Sequence, residues 1–195
     1  MMPSAHLSML SGVLAASLGL GLTSAVQAAP FQQRASLQGV TFQVRATGDG
    51  SLQQLVVKAS ENGKSLPTVK TETDGRVMGM EVEDLNSDGK PELLVYATSA
   101  GSGSYGSVQA WTVSKGHTLL PITMPELTGA WAKGYMGHDS FAVVETSLMH
   151  KFPVYRPGDS NARPTGGIRT ITYKLVPGEA SWQFKPVASN QTLGV

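Results

Sequence analysis

Leu93-Leu94-Val95-Tyr96-Ala97-Thr98-Ser99-Ala100-Gly101-Ser102-Gly103-Ser104-Tyr105-Gly106-Ser107-Val108-Gln109-Ala110-Trp111-Thr112-Val113 reads as strand, loop, strand. The left flank, Leu93 to Tyr96, is an apolar run. The right flank, Val108 to Val113, alternates apolar and polar residues as a strand does. The loop between them is longer than the two-residue turns that merely reverse a hairpin. It is built of small hydroxyls and three glycines around a single aromatic, Tyr105. Glycines admit positive φ and let a backbone approach another surface closely. A tyrosine offers a large flat contact with a polar tip and few rotamers to lose, the profile of a binding anchor.

Outward from this stretch the strand pattern continues in both directions. Before it, Val40 to Ala46 alternates with period two, Leu52 to Ala59 follows the Asp49-Gly50 turn signal, and Arg76 to Val82 follows Asp74-Gly75. Thr68 to Thr73 comes after Leu66-Pro67 and reads as an edge strand at most. After it, His117 to Ile122, Phe141 to Leu148, Ile168 to Leu175 and Ser181 to Val187 read as strands, with a loose tail from Ala188. Pro125 to Lys133, with Thr123 as its cap, is the one short helix candidate, limited by Gly129 and Gly134. Turn signals about every ten residues point to a β-sandwich or barrel. The reading is an all-β antiparallel β-sandwich of about eight strands with at most one short helix. A long polar segment rich in Pro and Gly, Phe152 to Gly167, is too long for a plain turn; it is either a functional loop or a compact structural one pinned by its Asp, Asn and Arg side chains.

The first 28 residues read as a signal peptide cleaved after Ala28, leaving residues 29–195 as a single domain. Leu10 to Leu22 is apolar and uncharged, and Ala25-Val26-Gln27-Ala28 places small residues before the cut. That apolar run is short for a membrane span. The 195-residue chain has no cysteine, so neither disulfides nor a lipid-modified cysteine is expected, and an ordinary core must hold the fold. The formal net charge of +1, without a basic cluster along the sequence, argues against nucleic acid or a membrane surface as the partner, and no membrane anchor is expected.

Two kinds of chemistry have candidate residues. Asp84-Leu85-Asn86-Ser87-Asp88-Gly89-Lys90-Pro91-Glu92 places oxygen ligands at alternate positions with glycine sixth, as a calcium loop begins. Position twelve is Val95 instead of a bidentate glutamate, so Glu92 would have to substitute. The alternative is a turn whose Asp and Asn side chains bond their own backbone. A calcium-stabilised secreted carbohydrate- or protein-binding module is the corresponding second function. For catalysis the signals are thin. His117, His138 and His150 lack metal-ligand spacing and read as surface or rim residues; Ser102 and Ser104 lack a nucleophile elbow; Glu126 and Glu145 are a carboxylate pair only if the fold joins them. No enzyme, no metal and no cofactor are expected.

Three runs, Val82 to Glu92, Ser99 to Gly106, and Phe152-Pro153-Val154-Tyr155 through Pro164-Thr165-Gly166-Gly167, occur in that order, and together they resemble the periplasmic inhibitors of invertebrate-type lysozyme, the PliI family. Ser102-Gly103-Ser104-Tyr105 matches that family's S-G-x-Y motif. The resemblance implies an eight-stranded antiparallel β-sandwich exported to the periplasm, often a homodimer, with no catalysis and with an I-type lysozyme as partner. It also implies roles. Ser102 would bond the catalytic carboxyls, Gly103 would allow close approach, Tyr105 would fill a sugar subsite, and Ser104 would contribute through its backbone. A second interface loop, with Tyr155, Arg156, Asp159 and Arg169, is expected to flank the first.

Overall fold

The structure, a computed structural model, describes residues 30–49 and 51–193; the signal peptide expected over 1–28 lies outside the described residues. Three antiparallel sheets follow one another along the chain. The first holds β1 (Phe31–Leu37), β2 (Val40–Thr47), β3 (Leu52–Glu61) and the two-residue β4 (Lys64–Ser65), with β5 (Val69–Asp74) also beside β3. The second is β6 (Arg76–Glu83), β7 (Glu92–Thr98), β8 (Gly106–Val113) and β9 (Leu119–Ile122), and the third is β10 (Ser140–Val144), β11 (Ser147–Pro153), β12 (Ile168–Pro177) and β13 (Trp182–Thr192). Each of the last two sheets is a plain meander.

The apolar run at Leu93 is explained by its place in this stack. Leu93, Val95 and Ala97 share one core with Phe42, Val44, Leu55 and Val57 of the first sheet. Leu94 joins a second core with Leu148, Phe152, Ile171, Tyr173 and Phe184 of the third. The middle sheet is therefore covered on both faces, and a strand so placed has no side to leave polar. The register agrees: Leu93 lies opposite Trp111 and Leu94 opposite Ala110, each pair serving one core. In β6 a register shift between Val77 and Gly79 leaves Met78 exposed and keeps Val77 and Met80 in the first core. A residue slip without such a bulge would turn one of them to the opposite face.

The sandwich architecture stands as read, but with thirteen strands among the described residues instead of about eight. Four local readings change. Phe141 to Leu148 is not one strand: Glu145 takes φ 53° and the chain reverses there, pairing Val144 with Ser147. Among the described residues there is no helix: Pro125 to Thr128 is irregular and Gly129 to Gly134 makes successive turns. Gly129 (φ 58°) and Gly134 (φ 74°) both lie in the left-handed region, and the few residues between them cannot repay helix nucleation. The tail from Ala188 is strand to Thr192, pairing along β12 as far as Ile168. Phe31 to Leu37 forms an edge strand whose mostly polar sequence carries little periodicity.

Candidate functional site

The loop from Ser99 to Tyr105 joins the two central strands of the middle sheet, so it grows from the most deeply buried part of the fold. It closes on itself. The Ser99 amide donates to the Tyr105 carbonyl at 2.8 Å, the Tyr105 amide donates to Ser99 Oγ at 3.0 Å, and the Ser104 amide donates to the Gly101 carbonyl at 2.9 Å. Its glycines do not supply positive φ, contrary to the reading of their composition. Ser104 alone in this loop takes it, at 44°. Gly103 is required for space instead: a Cβ there would sit 2.5 Å from the Tyr105 ring. At Gly106 a Cβ would meet Asp139 and Phe141 within 2.8 Å. Ser102 and Tyr105 are exposed, Tyr105 at 48%.

A turn from Tyr135 to Asp139 supports this loop from beneath. Gly137 (φ 88°) lies so close to Gly103 that a Cβ would fall 2.1 Å from its carbonyl oxygen. The His138 amide donates to the same oxygen at 2.6 Å. The Asp139 carboxylate is fully buried and accepts from the Gly106 amide and the Tyr135 hydroxyl, both at 2.7 Å, and from His150 Nε2 at 2.6 Å. His150 is thus an interior residue, not a rim histidine; its ring stacks on Phe141 with centroids 4.3 Å apart. The Tyr135 ring meets Tyr105 edge-on at 5.7 Å, and burial, then the bond to Asp139, push its hydroxyl pKa well up.

The second long loop uses its side chains differently from the expectation. Tyr155 is buried, its amide donating to the Gly134 carbonyl and its hydroxyl to the Asn161 carbonyl at 2.9 Å. Asp159 accepts from the amides of Arg156 and Thr165 and from the Thr165 hydroxyl, which holds its carboxyl below the usual range. Arg169 is buried over the Phe152 ring and donates to the carbonyls of Trp131 and Lys133 and to Gln191 Oε1. Of the four residues expected to form a second interface, Arg156 alone is fully exposed. Asn161, the asparagine of the compact-loop alternative, reaches beyond its own loop: its Nδ2 donates to the Ser102 carbonyl at 3.0 Å while its Oδ1 lies 3.3 Å from His138 Nε2. His138, read as a rim histidine, is half-buried there, and Tyr135 and Asp139 carried no reading in the sequence. The available signal was a run of tyrosine, methionine and histidine between closely spaced glycines, Gly134 to Asp139.

The Asp84 to Glu92 segment is a turn that satisfies itself. Asp84 accepts from the amides of Asp88 and Gly89, Asn86 Oδ1 from the Asp88 amide, and Asp88 from the Lys90 amide. Glu92 is buried, accepting from the Leu85 amide of that turn and from the Thr112 hydroxyl. Burial pushes its pKa up to about 7. Among the described residues, no group of three or more His, Cys, Asp or Glu is arranged to hold a metal ion. Glu126 and Glu145 line separate clefts, so the fold does not join them into a carboxylate pair. No described helix is long and apolar enough to cross a membrane.

Residues 43–126 match the family PliI, described as periplasmic lysozyme inhibitor of I-type lysozyme. The matched segment runs from within β2 to just past β9 and contains the whole Ser99 to Tyr105 loop. The third sheet and the second long loop lie outside it. No curated protein matches the chain.

Proposed function

With that family match as premise, we propose that the chain inhibits an I-type lysozyme by inserting Ser102-Gly103-Ser104-Tyr105 into the active-site cleft, and that it does so in the periplasm after removal of residues 1–28. The observation that carries the reading is the loop's construction. Its backbone, within the matched segment, is tied by its own hydrogen bonds and by His138 and Asn161 from outside that segment, while Ser102 is exposed and Tyr105 is about half exposed with its ring edge-on to Tyr135. A glycosidase cleft holds two carboxyl groups, one protonated and one charged. A hydroxyl presented from a rigid backbone donates to such a group, and bonds to charged acceptors are worth ~1.5–3 kcal/mol each. Tyr105 occupies space that a sugar ring would take. The loop contains no glycosidic bond, so nothing is cleaved. A fixed backbone also lowers the ordering cost of binding. With a near-neutral formal charge, either the target is not strongly basic or affinity rests on the inserted loop rather than on electrostatic steering.

The test is lysis of a cell-wall suspension by invertebrate-, chicken- and goose-type lysozymes, each with and without the purified protein. Stoichiometric loss of the invertebrate-type activity alone is expected. Ser102→Ala and Tyr105→Ala each weaken inhibition by about tenfold or more while leaving thermal stability unchanged. Full inhibition by both variants, or no inhibition of any lysozyme by the parent protein, overturns the proposal.

A further inference from the structure

The Ser102 to Tyr105 loop is one arm of a larger surface. The Tyr135 to Asp139 turn lies directly against it, through the His138 amide on the Gly103 carbonyl and the Gly137 backbone against the same atom. Between those two contacts with the loop and the Tyr135 ring is Met136, 41% exposed. Tyr105, 48% exposed, borders it: its ring lies 3.3 Å from where a Gly137 Cβ would be and meets Tyr135 edge-on. Single exposed apolar residues are ordinary on a protein surface. Two of them, from segments thirty residues apart in sequence and adjacent in space, each on a backbone held by hydrogen bonds, are the makings of an apolar contact centre. Methionine suits such a place because its unbranched, polarisable side chain adapts to an irregular partner.

We infer that Met136 is a second anchor of the target-facing surface, and that the second long loop serves that surface from behind, through Asn161, without touching the target. Asn161 is the tie between the two arms: its Nδ2 binds the Ser102 carbonyl of one and its Oδ1 approaches His138 of the other. Tyr155, inside the fold, fixes the Asn161 carbonyl and thereby the tie itself. Met136 is thus a contact residue and Asn161 a positioning residue. The inference rests on the inhibitor reading, since it names further parts of the same surface.

The experiment compares the parent protein with Met136→Lys, Asn161→Ala and a control, Leu120→Lys, whose parent side chain is exposed on β9 opposite Thr112, at the far end of β8 from the loop. Inhibition of the invertebrate-type lysozyme is titrated, melting temperature is measured, and amide exchange is followed without lysozyme. Met136→Lys is expected to weaken inhibition by about tenfold with an unchanged melting temperature, and Leu120→Lys to leave inhibition within about twofold. Asn161→Ala is expected to weaken inhibition by about fivefold and to speed exchange of the His138 amide, with the strands unaffected. If the parent inhibits and Met136→Lys inhibits equally well, the anchor assignment is overturned. If the His138 amide exchanges at the parent rate in Asn161→Ala, the tie is overturned. A parent protein that inhibits no lysozyme removes the inhibitor reading and Met136's role with it, while the exchange result still decides whether Asn161 holds the two arms together.

Discussion

The two long loops at this end of the molecule spend their polar groups in opposite ways. In Ser99 to Tyr105 the backbone makes most of the bonds: the carbonyls of Gly101, Ser102, Gly103 and Tyr105 are all engaged. The side chains of Ser102 and Tyr105 are left to solvent. In the segment after Phe152, the backbone is bonded too, but the side chains are committed with it: Asp159 closes the loop on itself, Tyr155 is buried, and Asn161 reaches across to the first loop. Both are polar and glycine-bearing, and composition alone treats them alike. A fixed backbone with free side chains can meet a partner. A loop whose side chains are already bonded can only hold something in place.

Arg169→Ala is the strongest way to break this contrast. It removes the guanidinium that bridges two turn carbonyls to Gln191, leaving buried acceptors without donors. A loss of about 3 kcal/mol in urea unfolding is expected. Equal stability would mean that this end of the third sheet is held by something else. Gly137→Ala acts more narrowly. A Cβ at φ 88° must collide with the Gly103 carbonyl, so the turn separates from the first loop. The expected cost is about 1–2 kcal/mol, with a larger proportional loss of inhibition. Inhibition that falls only in step with stability would deny the turn its place beneath the loop. The smallest effect comes from acid. The Asp159 carboxyl is held below its ordinary pKa, chiefly by the amides of Arg156 and Thr165. Its contribution is complete above the ordinary aspartate range and is lost as pH falls through the lowered value. Exchange at Arg156 and Thr165 should therefore quicken on acidification below about pH 4 while the Ser104 amide keeps its rate. Equal quickening at all three would erase the distinction.

Much of this was legible in the chain. Val40 to Ala46 and Ile168 to Leu175 alternate because each has one core-facing side, and the structure uses them so. The exposed loop between β7 and β8 followed from its own residues and flanks. The illegible parts share a cause. The Asp139 cluster joins residues from positions 106 to 150, and Asn161 reaches Ser102 across 59 positions. Periodicity and turn chemistry act over a few residues and are silent about such meetings. Glu145 in the left-handed region ends the strand after the apolar run Phe141 to Val144, at a residue type that rarely takes that conformation. Asp84 to Glu92 reads the same whether its oxygens face an ion or their own amides, and its spacing is silent about the meeting of Glu92 with Thr112, 20 positions on.

The stacking order of the sheets has a consequence for assembly. Each sheet is drawn from one uninterrupted length of chain, ending near residues 74, 122 and 192 in turn. Strand pairing is therefore local, and the long-range steps are the two acts of stacking. Both need the middle sheet: the first cannot cover Phe42 and Leu55, nor the third Phe152 and Ile171, until β6 to β9 exist. A chain emerging from its amino end would hold a finished but uncovered first sheet until roughly two-thirds of its length had appeared. That interval is when unpaired edges and bare apolar faces are open to the wrong neighbour. The segment carrying the Ser99 to Tyr105 loop is also the segment that ends it.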